Sequence, residues 1–448
     1  MMFCRYIRKS SSRVFSSTST SSLFIAQRHP VRSSSLRGRL FRSFSTTMQN
    51  KFNHQSHHSK INLFMPFALF GLSGMVAAGG SYYLTQQAEM AGSSSDESPF
   101  SMYAKCEMKI LQGRSHPELA RDVANALGIQ LSEAEVKNFN NGETAIKIKE
   151  SVRDCDVFVI QSTCYPEPND AIVELCIMVD ALRRAGAARI TVVMPHYAYA
   201  RNSFKAKSRT PIVSKLIADM LETTGVDRVV TIDLHSSQIQ GFANYPIDNL
   251  DGLPTLRNFM LRLGVFGDDV VVVASSPHGA KMAESLSKQL GSGFALNSKV
   301  RERDNVTDHP VLVGDVKNKK CICLVDIIDT GETLCRTSKV VKEAGAQMII
   351  GAAIHGIFSD TAVQDLENSD LDQVVVMDTV PCVDRCEKSK KITVLSSANL
   401  LAHAIWRIHM GGSLSQLYRY DSAAHVARPL NRRGRDDDRS SRSTTKSS

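Results

Sequence analysis

The chain has 448 residues, 42% hydrophobic and 22% charged, which excludes a wholly disordered protein and leaves room for two to three domains of about 150 residues each. Its net charge of +9 is unevenly placed: residues 1–88 hold 11 Lys/Arg and no acid, and residues 428–448 hold 7 Lys/Arg against 3 Asp, so 89–427 stands at −6. A mildly acidic body lacks the basic footprint of a nucleic-acid binder, and no nucleic-acid partner is expected.

In chain order, residues 1–50 are rich in Arg and contain 13 Ser without an acid. This composition predicts a transit peptide, mitochondrial by preference and plastid as the alternative; a plain basic tail is the other reading. Ile61 to Ala88 carries no charge, and Leu63 to Leu84 is long enough to cross a bilayer. Lys60 bounds one end and Tyr82 and Tyr83 the other. A membrane anchor over 61–85 is expected, with a second signal segment or a core helix as alternatives. The expected location is mitochondrial and membrane-anchored, at the inner membrane. The tail 428–448 reads as disordered.

Between these ends, apolar runs alternate with amphipathic stretches. Strands are predicted at Asp156–Gln161, Arg189–Met194, Arg228–Asp233, Asp269–Ala274, Cys321–Asp326, Met348–Ile354 and Gln373–Met377. Continuous Val/Ile blocks are what parallel strands buried on both faces require. Helices are predicted at Ala171–Ala187, Pro211–Thr224, Thr333–Ala346 and Asn399–His409. The alternation predicts an α/β fold of two tandem doubly wound parallel sheets, one domain over 105–250 and a second over 251–422. Ten scattered cysteines show neither CxxC nor zinc spacing and read as reduced.

Ligands of open α/β sheets bind beyond the carboxyl ends of strands. There the segment Asp326-Ile-Ile-Asp329-Thr330-Gly331-Glu332-Thr333 stands out. A buried strand ends in two carboxylates, and a small-residue turn then opens a helix. Backbone N–H groups and Thr hydroxyls at such a turn suit a phosphate monoester, and the acids suit sugar hydroxyls, directly or through a metal. The same residues also suit an ordinary capped βα turn.

The segment resembles the phosphoribosyl-pyrophosphate loop of type I phosphoribosyltransferases, and its context resembles the ribose-phosphate pyrophosphokinase family. The likeness is carried by Asn138-Phe-Asn-Asn-Gly-Glu-Thr144, Val159-Ile-Gln-Ser-Thr-Cys164, Val179-Asp-Ala-Leu-Arg-Arg184, Tyr199-Ala-Arg201, Asp233-Leu-His-Ser-Ser-Gln-Ile-Gln-Gly-Phe242, Pro246-Ile-Asp-Asn249, Val313-Gly-Asp-Val316 and His355-Gly-Ile-Phe-Ser359. It runs from about Lys109 to Tyr418.

The resemblance implies a duplicated type I phosphoribosyltransferase fold. It implies transfer of the β,γ-diphosphoryl group of ATP to the 1-hydroxyl of ribose 5-phosphate with Mg²⁺, and oligomers with itself or family paralogues. Phe139, Asn141 and Glu143 match adenine-binding positions, where an aromatic face, an amide and a carboxylate can read the base. Arg201 and Asn202 match ATP-phosphate positions. Asp233, His235 and Asp248 match the metal site. Lys299 and Arg301 match a catalytic loop that meets the transferring phosphoryl groups, a task of positioning and charge neutralisation. Asp326, Asp329, Thr330, Gly331, Glu332 and Thr333 match the ribose 5-phosphate site.

The departures from the family sit at the same places. After Arg201 the usual Gln-Asp-Arg/Lys is Asn202-Ser203-Phe204-Lys205. An acidic position is His278, the first of two paired acids is Val325, Asn244 replaces an Asp, and Glu332 replaces a small residue. A carboxylate at that turn favours the helix dipole but repels phosphate. A working diphosphokinase is the leading reading and a regulatory subunit of active enzymes the second. A phosphoribosyltransferase using a premade donor is third, opposed by the ATP-side residues.

Overall fold

The structure, a computed structural model, describes residues 106–276, 279–300, 309–418 and 430. The stretches expected as transit peptide (1–50), membrane anchor (61–85) and tail (428–448, Leu430 apart) lie outside the described residues. Among the described residues no helix is long and apolar enough to cross a membrane.

The elements begin with β1 (Met108–Gln112), α1 (Pro117–Leu127) and a hairpin of β2 (Ala134–Asn138) and β3 (Thr144–Ile148). They continue through β4 (Asp156–Ile160), α2 (Pro168–Arg184), β5 (Arg189–Met194), α3 (Val213–Thr224), β6 (Arg228–Ile232) and β7 (Ile247–Leu250). Strands β1, β4, β5, β6 and β7 form one parallel sheet in that order, and the antiparallel hairpin stands apart from it. Every position of β4, Asp-Val-Phe-Val-Ile, is buried, because helices cover both faces of a parallel sheet.

The chain goes on as α4 (Leu253–Arg262), β8 (Val270–Ala274), α5 (Ala280–Leu290), β9 (Gly293–Val300), β10 (His309–Val313) and β11 (Lys320–Ile328). Then come α6 (Glu332–Glu343), β12 (Met348–Gly356), α7 (Ala362–Glu367), β13 (Gln373–Met377), α8 (Val383–Cys386), β14 (Ile392–Leu395) and α9 (Ala398–His409). The second sheet has the order β10-β9-β8-β11-β12-β13-β14, parallel except for β10, which runs antiparallel along β9. The apolar runs read from the sequence are all strands here. The hairpin, β1, β7, β9, β10 and β14, too short or too mixed to show as apolar blocks, join them.

The two sheets share one core. Ile110, Phe158, Val193 and Val230 of the first sheet belong to the same apolar cluster as Val272, Leu324, Ala352 and Val375 of the second, with the buried faces of α1, α4, α5 and α9. Helices α2 and α3 cover the outer face of the first sheet, and α6, α7 and α8 that of the second. An ion-pair knot locks the arrangement. Fully buried Asp156 accepts from Arg189 Nε at 2.8 Å and Nη2 at 2.6 Å, and His409 Nδ1 lies 2.8 Å away. Arg189 Nη2 also reaches the carbonyl of Ile408 at 3.1 Å. The last helix is thereby tied to the first sheet. Leu430 donates its N–H to Val394 O at 2.8 Å, beside β14.

Candidate active site

The carboxyl ends of β4 and β5 and those of β11 and β12 open into one cavity of about 640 Å³. The first sheet contributes Thr163 to Pro166 and the run His196 to Asn202, followed by Phe204 and Lys207; the second contributes Asp329 and Ser359. This is where the topology of an open α/β sheet puts a ligand, and the size suits a small molecule.

Two acids of the sugar-phosphate segment are gripped from the first sheet's side. Arg201 Nη2 donates to Asp329 Oδ2 at 2.5 Å, and Ser359 Oγ donates to Asp329 Oδ1 at 2.5 Å. Burial alone would raise the Asp329 carboxyl, but Ser359 and Arg201 outweigh it and hold it below the usual carboxylate range. Asp326, within β11, is hydrogen-bonded to His235. Burial works against its charge too, and the contact with His235 wins, so Asp326 is held low. Behind them His355 places Nδ1 2.8 Å from Thr379 Oγ1 and Nε2 3.2 Å from Asp233 O. Its ring meets that of His196 edge-on, with centroids 5.0 Å apart. Burial pushes His355 down to about 3 and lowers His196 as well. Both imidazoles are therefore neutral at physiological pH.

The proposed metal trio does not assemble. Two residues apart on an extended segment, Asp233 and His235 would point the same way. Asp233 instead takes φ +42, which breaks the alternation. Its Oδ2 turns inward to accept from Gly252 N at 2.6 Å, and burial together with nearby Asp251 pushes its carboxyl well above the usual range. Asp248 is paired with Arg228. Among the described residues no three His, Cys, Asp or Glu side chains are grouped to hold a metal ion. What remains at the seam is Asp326 with His235. Magnesium takes oxygen ligands and binds through one or two carboxylates plus substrate phosphates, and an anionic Asp326 meets that requirement.

The turn itself is built as the sequence suggests. Gly331 takes φ +78 at the start of α6, where a Cβ would also meet Leu366 Cγ at 3.3 Å. Glu332 opens the helix, is exposed, and pairs with Arg336 at 3.3 Å. Thr333 is exposed, and its carbonyl accepts from Thr337 Oγ1 at 2.8 Å. Thr330 and Glu332 face a second cavity of about 540 Å³, shared with Asp360, Asp365 and Asp370. The turn thus borders two cavities: Asp329 faces the first, with Arg201 and Lys207, and Thr330 and Glu332 face the second, with three Asp and Lys339.

The nucleotide-side residues are split. Phe139, Asn141 and Glu143 form the tip between β2 and β3. The tip is closed by Phe139 N to Glu143 O at 2.8 Å and by Glu143 N to Asn141 Oδ1 at 3.1 Å. Phe139 is 56% exposed, and none of the three lines the cavity. Arg201 and Asn202 do line it. Asn202 also anchors α3: its carbonyl accepts from Ser214 N at 3.2 Å and Ser214 Oγ at 2.9 Å. Lys299 lies in β9 opposite Pro310 of β10, and Arg301 lies outside the described residues. The sequence reading passed over Tyr165, Phe204 and Lys207 as cavity residues. Phe204 and Lys207 lie in the irregular stretch between β5 and α3, where no periodic pattern in the sequence marks them.

The family profile described as the N-terminal domain of ribose phosphate pyrophosphokinase matches residues 108–225, and the phosphoribosyl synthetase-associated domain matches 297–419. A ribose-phosphate pyrophosphokinase of Vibrio parahaemolyticus is 44% identical over 314 residues, 70% of this chain and 99% of that one. Ribose-phosphate pyrophosphokinase A of Dictyostelium discoideum is 42% identical over 311 residues, 69% of this chain and 98% of that one. The crystal structure of phosphoribosylpyrophosphate synthetase from Mycobacterium smegmatis is similar with a TM-score of 0.64 and 38% identity, over 68% of this chain and 100% of that one. With its parallel α/β sheets meeting at one cleft, and with relatives matched over nearly their whole length, the chain belongs to the ribose-phosphate pyrophosphokinase family.

Proposed function

We propose that this chain is a ribose-phosphate diphosphokinase. It moves the β,γ-diphosphoryl group of ATP to the 1-hydroxyl of ribose 5-phosphate, giving phosphoribosyl pyrophosphate and AMP for nucleotide biosynthesis. The observation that carries the reading is the contact between Arg201, on the nucleotide side, and Asp329, on the sugar-phosphate side, at one cavity. The relatives are named as pyrophosphokinases, which favours the enzyme over a regulatory subunit.

In the reaction the 1-hydroxyl oxygen attacks the β-phosphorus, the bond from that phosphorus to the α-phosphate oxygen breaks to release AMP, and the hydroxyl proton passes to water. Positioning and charge neutralisation do most of the work in such a transfer. Asp329 and Ser359 orient sugar hydroxyls, and the turn at Thr330, Gly331 and Thr333 presents N–H groups to the 5-phosphate. Arg201, once released by Asp329, turns to the ATP phosphates. Lys299 and Arg301 cover the transferring group. Magnesium, when bound beside Asp326 and His235, neutralises non-bridging phosphate oxygens. Assay of the purified protein for AMP formation that requires both ATP and ribose 5-phosphate tests the reading; protein that forms none refutes it.

The finer organisation belongs to the same proposal. The two parallel sheets correspond to tandem type I phosphoribosyltransferase domains over 105–250 and 251–422. The family and the exposed Phe139 support assembly with further copies or paralogues. The acid-free residues 1–50 and uncharged 61–85 support a mitochondrial, membrane-anchored protein, or failing that a plastid one. A fusion of residues 1–100 to a fluorescent reporter that stays in the cytosol would reject the targeting.

A further inference from the structure

The end of α9 carries an apolar stripe. Trp406 and Met410 are one helical turn apart and so share a face, and they are 49% and 47% exposed. A single exposed apolar side chain needs no explanation, but here two of them flank a guanidinium with neutral partners. Arg407 Nη1 donates to Ser413 O at 3.3 Å and to Gln416 Oε1 at 2.7 Å. Its Nε is buried and has no hydrogen-bond partner among the described residues.

The stripe lies close to the point where the chain enters the fold. The Trp406 and His409 rings are 6.3 Å apart between centroids, His409 Nδ1 is 2.8 Å from Asp156 Oδ2, and Asp156 N donates to Glu107 O at 2.9 Å. Glu107 stands immediately before β1. An extended chain covers 3.3–3.6 Å per residue, so residues 100–105 reach about 20 Å from there, enough to arrive at Trp406. That stretch contains Phe100, Met102 and Tyr103, and Asp96 and Glu97 stand just ahead of it.

We propose that residues 96–103, Asp-Glu-Ser-Pro-Phe-Ser-Met-Tyr, fold back onto the end of α9. Phe100, Met102 and Tyr103 cover Trp406 and Met410, and Asp96 and Glu97 supply Arg407 with counter-charge. The docking point is at the amino ends of β1 and β4, whereas the cavity opens at the carboxyl ends of the strands, so the segment does not compete with substrates.

Trp406 is the single tryptophan of the chain, and its fluorescence reads the stripe directly. In the full chain its emission should be blue-shifted and shielded from acrylamide. Phe100→Ser combined with Tyr103→Ser should move the emission to the red and raise the quenching constant, with an unaltered circular dichroism spectrum. Asp96→Lys with Glu97→Lys should raise the quenching constant too. Trypsin gives a second readout, which decides by itself if the double serine variant does not fold. Cleavage after Lys105 should quicken about tenfold in Met410→Glu, because docking holds the bond away from the protease. A wild-type tryptophan as open to acrylamide as that of the double serine variant overturns the assignment, and so does cleavage at Lys105 that Met410→Glu leaves unchanged. Shielding that fades on dilution also overturns it, since a second copy of the chain would then be the cover.

Discussion

Arg201 and Asp329 meet at 2.5 Å although 128 positions separate them in the chain. In the proposed reaction each is the charged group that one substrate needs, and here each neutralises the other. The pair is partly exposed, with side chains 54% and 29% accessible, so its contribution to stability is small, roughly 0–1 kcal/mol. Its importance is in positioning.

Asp329→Asn is therefore expected to leave the thermal midpoint nearly unchanged. It should raise the Michaelis constant for ribose 5-phosphate about tenfold or more, because a charged acceptor for a sugar hydroxyl is lost. Steady-state kinetics beside a melting curve checks this. A large drop in melting temperature with unaltered kinetics would make Asp329 a structural residue.

Glu332 stands at the first position of α6, where an incoming phosphate would approach. Two like charges about 4 Å apart cost about 1 kcal/mol in water and more when partly buried. Arg336 offsets part of that. Glu332→Gln should lower the ribose 5-phosphate Michaelis constant about threefold to tenfold; a constant that stays level or rises would show that the carboxylate does not oppose the phosphate.

Lys299→Ala should cut turnover by about 10²–10³, the usual loss for one donor to a developing charge. Circular dichroism should match wild type, because the proposed role is in the transition state. Turnover within twofold of wild type would remove Lys299 from the reaction.

His196 and His355 are stored as neutral rings in a seam that disfavours their charged forms. The sign follows from proton counting. Between about pH 3, where folded His355 titrates, and the ordinary histidine value of about 6.5, the unfolded chain binds more protons than the folded one. Stability is complete above that range and declines as pH falls through it. His196→Asn should make the slope of unfolding free energy against pH shallower just below the ordinary histidine value. Urea titrations at pH 5 and 7.5 that show an unaltered slope would exclude His196 as a source.

Asp156 accepts from Arg189 and faces His409 with no exposed surface of its own. Asp156→Asn leaves the guanidinium, only 13% exposed, without its counter-charge. A loss of about 3–5 kcal/mol is expected, the usual effect of breaking a buried pair from one side. Denaturant unfolding reads it directly, and a cost below about 1 kcal/mol would show that α9 is held to the first sheet by its apolar face alone.

The parallel strands were legible because burial on both faces demands unbroken Val/Ile runs, as in Val270-Val-Val-Val-Ala274 and Asp156-Val-Phe-Val-Ile160. Strands β9 and β10 lack such runs. They are specified by pairing with each other, which a one-dimensional pattern does not display. The turn at Gly331 was legible for a local reason: a left-handed residue starting a helix, between Thr and Glu, depends only on its neighbours in sequence.

What the sequence by itself determined was the α/β class, the positions of the main strands along the chain and the turn at Asp329–Thr333, since each follows from short-range burial and backbone preference. Tertiary structure alone decided which side chains meet. It turned Asp233 inward, gave Asp248 to Arg228 and His235 to Asp326, and joined Arg201 to Asp329. The first two contacts join neighbouring strands β6 and β7 of one sheet and the residues just after them, while the last two join segments 91 and 128 positions apart that only the core shared by the two sheets brings within reach.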